Sequence, residues 1–122
     1  EYEAAYLYDF LKKAQPFSLV VSGSESKRLL NQLANQLVIM AKDGVIFMDF
    51  HLENVLVDDD GELWWIDPEL IESKTVVRKM FWSRIERMHH KCDVGVLSHT
   101  QWEYFVVSLK EHLGDEPFLH LA

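Results

Sequence analysis

Between positions 25 and 42, Leu30, Leu33, Leu37 and Ala41 fall on one face at helical spacing, and Leu29, Val38 and Met40 widen it. The pattern predicts a helix buried on more than one side. Ser22 with Glu25 offers a capping box at its start, and Asp43-Gly44 supplies a stop. Val77, Phe81, Ile85 and Met88 make a second apolar stripe, which predicts a helix over 75–91 with Lys79, Arg87 and Lys91 turned outward. Trp102, Phe105, Val106, Leu109 and Leu113 predict a third, opened by Thr100 and Glu103 as a capping box, running to about His112 and ended by Gly114 and Pro117.

Between the first two helices the period changes. Positions 45–50 form a short extended run, and the tetrapeptide HLEN after it is turn-like. NVLV (54–57) and ELWWI (62–66) are β-rich runs on either side of Asp58-Asp59-Asp60-Gly61, where Asp60-Gly61 is a hairpin signal because glycine accepts positive φ at little cost. Pro68 lacks a donor for a ladder, so the second strand should end at Asp67. Near the start, Tyr6, Tyr8 and Phe10 alternate with Leu7 and Asp9, which favours an extended segment over 1–11. Pro16, Gly23 and small polar residues then surround FSLVV, a connector with a short buried piece. The expectation is an α+β fold, mostly helical with a small β-hairpin, in one domain over 1–122.

Composition narrows the classes. At 122 residues the chain suffices for one core, and no apolar run approaches the roughly 18 residues that span a bilayer. The single cysteine, Cys92, has no intrachain partner for a disulfide, which fits a reducing, cytoplasmic setting. A net charge of −8 argues against nonspecific nucleic-acid binding, which rests on phosphate neutralisation. The charge is segregated: nine acidic residues and no Lys or Arg occupy 49–72, whereas six basic residues and one acid, Glu86, occupy 74–91. The acidic stretch suits a divalent cation, since hard cations prefer carboxylates and carbonyls. The basic stretch suits an anionic substrate, a membrane surface or plain solvation.

Three oxygen-bearing side chains stand out in FMDFHLENVLVDDDGELWWIDPE (47–69). Asp49 and Asn54 are five positions apart, and Asp67 returns beside Asn54 if 54–66 folds as a hairpin. Two competing metal patterns are weaker. Asp58, Asp60, Gly61 and Asp67 match part of a calcium loop, but its first position would be Leu56 and its flanks are strand-like. His89, His90 and Cys92 are close in sequence, but lack a second pair of ligands at zinc spacing and read as surface helix residues.

FMDFHLEN followed by WWID resembles the catalytic and metal-binding segments of the protein-kinase-like superfamily, whose pattern is H-R-D-L-x-x-x-N with a downstream D-F-G. The resemblance is closer to the aminoglycoside-phosphotransferase-like kinases and the bacterial 3-deoxy-D-manno-octulosonic acid kinases of lipopolysaccharide assembly, which show H-x-D-x-H-x-x-N-x-L and end in I-D-x-E or I-D-x-D. The resemblance implies an ATP- and magnesium-dependent phosphotransferase acting on a hydroxyl, on a sugar or glycolipid. Asp49 would take or orient the hydroxyl proton, Asn54 and Asp67 would hold magnesium against the nucleotide, Glu69 would add a metal contact, and His51 would face substrate or phosphate.

The chain departs from the pattern in three ways. Phe47 and Met48 stand where the motif has His and Arg, so packing replaces a hydrogen-bonding scaffold. Glu69, after Pro68, replaces the D-F-G glycine. No glycine-rich phosphate loop and no V-A-I-K lysine is found, so the resemblance covers the larger, C-terminal lobe, with 6–11 as the hinge to a smaller one. Phosphoryl transfer is then expected only with an ATP-binding lobe supplied. The alternatives are a non-catalytic pseudokinase or interaction module, and a small effector-type protein kinase that needs a partner.

Overall fold

The computed structural model describes residues 14–47, 50–66, 70–72 and 75–121. Those residues form an α+β fold in which two long helices and three small antiparallel sheets are described. The extended segment and hinge expected over 1–11, and the positions of Asp49, Asp67 and Glu69, lie outside the described residues.

The described residues open with a two-residue strand, β1 (Gln15–Pro16), and a single helical turn, α1 (Phe17–Val20), which buries Phe17 with Val21 just beyond it. The connector expected here therefore contains local structure. α2 (Ser26–Lys42) follows, burying Leu29, Leu30, Leu33, Ala34, Leu37, Val38 and Ala41. Each fully buried leucine contributes about 1.5–3 kcal/mol relative to exposure. Its expected capping box is absent: the Ser22 hydroxyl donates to the Leu19 carbonyl, and the Glu25 carboxylate pairs with Arg28 at 2.7 Å. The stop is as expected, with Gly44 at φ 83° and its N–H bonded to the Ala41 carbonyl.

β2 (Val45–Phe47) leads to a 3-10 turn (Leu52–Asn54) and then the hairpin of β3 (Val55–Val57) and β4 (Leu63–Trp65). Val55 faces Trp65 and Val57 faces Leu63, while β1 pairs with the other edge of β3. Regular pairing stops at Trp65, two residues earlier than Pro68 suggested, although the Ile66 N–H still reaches the Asn54 carbonyl at 2.9 Å. β5 (Leu70–Glu72) pairs with β2, Phe47 opposite Leu70.

The second predicted helix begins later than its stripe suggests. Thr75, Val76 and Val77 form β6 (Thr75–Val77), because β-branched residues favour a pleated edge when a partner strand exists. That partner is β7 (Phe118–Leu121), far off in sequence. α3 (Arg78–Arg87) then buries Phe81 and Ile85, and a π turn (Met88–Cys92) buries Met88. α4 (His99–Leu113) packs along α2 and adds Phe105, Leu109 and Leu113 to the same core.

The capping box of α4 is also displaced from Thr100 and Glu103. Ser98 accepts from the Gln101 N–H at 3.1 Å and Gln101 accepts from the Ser98 N–H at 2.9 Å, leaving Glu103 to pair with His99. Ser98→Ala is expected to cost about 1 kcal/mol, whereas Thr100→Ala stays within about 0.5 kcal/mol, as read from urea midpoints.

Candidate active site

A polar stripe spaced by four along α2 docks the hairpin. Arg28 donates to the Gly61 carbonyl at 3.4 Å, Gln32 to the Glu62 carboxylate at 3.5 Å, and Gln36 accepts from the Trp65 indole at 3.0 Å. Gly61, at φ 78°, closes the turn with its N–H on the Asp58 carbonyl. The Asp58 carboxylate is committed to the same turn, accepting from the N–H groups of Asp60 and Glu62 at 2.9 Å each and from the Trp64 indole at 2.8 Å. The Trp64 bond first, then the Glu62 N–H, holds Asp58 below the ordinary carboxylate range. With its oxygens used as turn acceptors, Asp58 is poorly suited to the calcium-loop pattern.

The consequence for the candidate residues lies in the register. Asn54 ends the 3-10 turn just before β3, and Ile66 just follows β4, joined to Asn54 by the 2.9 Å bond. The residue preceding Asp67 is thereby fixed to Asn54. On the other side, Phe47 and Leu70 are register partners, so the described ends of the two undescribed pieces, 48–49 and 67–69, meet across one ladder. Phe47, Phe50 and Trp65 form an aromatic triangle with centroids 5.0–6.1 Å apart, burying both described neighbours of 48–49. Phe47 and Phe50 thus pack into one aromatic cluster from either side of 48–49.

One residue that sequence reasoning missed holds the loop from below. Asp93, 6% exposed, accepts from the Leu52 N–H through Oδ2 at 2.9 Å. Burial raises its pKa above that of an ordinary aspartate; the Leu52 bond and nearby His51 oppose that rise, and Glu53 adds to it. Asp93 thus pins the turn that carries both His51 and Asn54, which are half-buried. Its signal in the sequence was slight, a lone acid two residues before Gly95 in an apparent connector.

The zinc pattern resolves differently. His89 stacks on Trp102 with centroids 4.0 Å apart and planes 6° from parallel, and desolvation lowers its pKa. Among the described residues, no group of three or more His, Cys, Asp or Glu side chains is placed to hold a metal ion. Nor does any helix among the described residues have the length and apolarity to cross a membrane. Comparison of this chain with protein-family models, curated proteins and solved structures finds no match.

Proposed function

We propose that this chain is the larger lobe of an ATP- and magnesium-dependent phosphotransferase that transfers a phosphoryl group to a hydroxyl on a sugar or glycolipid. The observation that carries this reading is the Ile66 to Asn54 hydrogen bond, which ties Asn54 to the position preceding Asp67 across a hairpin. The Asp93 clamp on Leu52 adds rigidity where positioning matters most.

In this reading Asp49 accepts the proton of the attacking hydroxyl. Asn54 and Asp67 would hold magnesium, with Glu69 as a further oxygen donor, a donor set that suits a hard cation. When bound, that ion neutralises charge on the nucleotide phosphates. His51 faces the phosphate or acceptor, and the aromatic triangle of Phe47, Phe50 and Trp65 stiffens the backbone on either side of 48–49. The single cysteine and the demand for ATP favour a cytoplasmic setting.

Calorimetric titration of the native protein with ATP, with and without magnesium, tests the reading together with labelled γ-phosphate offered to saccharide and protein acceptors. Magnesium-dependent ATP binding with transfer to a saccharide is the expected result. Transfer to protein alone favours the effector-type kinase, and neither binding nor transfer favours the non-catalytic interaction module.

A further inference from the structure

The outer face of α3 and the π turn presents two rows of side chains spaced by four. One row is Lys79, Ser83, Arg87 and Lys91, all exposed; the other is Arg78, Trp82, Glu86 and His90. Together with Val77 and Pro117 they line an open groove of about 850 Å³. Arg78 is held as a wall of this groove by its bond to the Gly114 carbonyl. Trp82 is half-buried, packed edge-on against Phe81 at 6.1 Å.

The cations stand out against a chain of net charge −8. Glu86 is the acid within the groove, and Asp115 and Glu116 are exposed beside Pro117. At the rim the chemistry changes. Val77, a lining residue, is 37% exposed, and its register partner across the β6–β7 bulge, Phe118, follows Pro117 and is 46% exposed, in a hollow it shares with Asp115, Glu116 and Lys42. A cationic row next to solvent-facing apolar side chains and an aromatic ring matches an interface between anionic headgroups and acyl chains. A soluble polyanion would use the lysines and arginines but gain nothing from Phe118 and Val77.

The geometry points to this face as a docking surface for an anionic phospholipid bilayer, with Lys79 and Lys91 over the headgroups and Val77 and Phe118 at the acyl boundary. Lys or Arg at such a surface strengthens partitioning about fivefold each. The inference is independent of the phosphoryl-transfer reading, since none of these side chains belongs to the candidate active site.

Flotation of the native protein with vesicles of phosphatidylcholine, alone or mixed with phosphatidylglycerol, tests it. Binding to the mixed vesicles only, weakened by salt, is the expected result. The exposed-site variant Lys79→Glu with Lys91→Glu should weaken binding at least about 25-fold. Phe118→Ser should weaken it several-fold, with circular dichroism unchanged in both variants. Equal retention on neutral vesicles, undiminished binding by the lysine variant, or retention of an oligonucleotide with none of vesicles overturns the proposal. So does full binding by Phe118→Ser, which would reassign the groove to a soluble polyanion.

Discussion

Replacing Asp49 by Ala in the native protein is expected to lower phosphoryl transfer by about 10²–10⁴-fold while leaving ATP affinity nearly unchanged, because only proton removal from the acceptor is lost. Asp67→Ala should do something different. Removing the proposed magnesium ligand should weaken Mg-ATP binding as well as turnover, and the weakening should shrink when magnesium is raised. The contrast is therefore in ATP affinity as much as in rate. Comparing initial rates with calorimetric affinities for both variants checks it. Unchanged turnover in Asp49→Ala would remove the proposed proton acceptor, and identical ATP affinities in the two variants would remove the metal assignment.

Asp93 carries the second large effect. Asp93→Ala strands the buried Leu52 N–H without an acceptor and leaves a small void, a loss of about 1–3 kcal/mol for the unpaired donor alone. Asp93→Asn keeps an oxygen acceptor and should retain most of that stability. The two also differ in pH dependence. Burial lifts the pKa of Asp93 above 3.8, so the folded chain binds its proton more readily than the unfolded chain does. The stabilisation from the protonated carboxyl is present near and below the unfolded value and is lost as pH rises through the folded pKa. Relative to Asp93→Asn, the native protein should therefore gain stability on acidification from neutrality toward about pH 4. Parallel urea midpoints across that range measure it; coincident curves would show that Asp93 titrates alike in both states.

How much of this was legible in the chain depends on how local each signal is. α2 and the β3–β4 hairpin were readable because periodicity, Asp43-Gly44 and Asp60-Gly61 lie within or beside the elements they shape. β5 and β6 were not, since each is three residues long and exists through a distant partner, β6 through β7 near the chain's end. Thr75, Val76 and Val77 satisfy a helical stripe equally well, and the ladder decides against it. Both capping boxes failed for one reason: several Ser, Thr and Glu residues at suitable spacing competed. Glu25 was taken by Arg28, while Gln101 reached both Ser98 and the Val21 carbonyl, a choice only tertiary contact makes. Of the candidate site, the hairpin joining Asn54 to Ile66 was expected, and the Asp93 clamp was not, because a buried acid in a connector has no local signature.

The π turn before Asp93 fixes the phase of the helix that precedes the clamp. Its Asp93 N–H bonds back five residues to the Met88 carbonyl at 2.7 Å, so the winding there holds one residue more than an α-helical turn. Excising one residue from Met88–Cys92 would let the Asp93 N–H close an ordinary α-helical turn on the same carbonyl, because the wide turn takes up its extra residue within a single revolution. The insertion is absorbed locally, and the place from which the Asp93 carboxylate reaches Leu52 is kept despite the added residue.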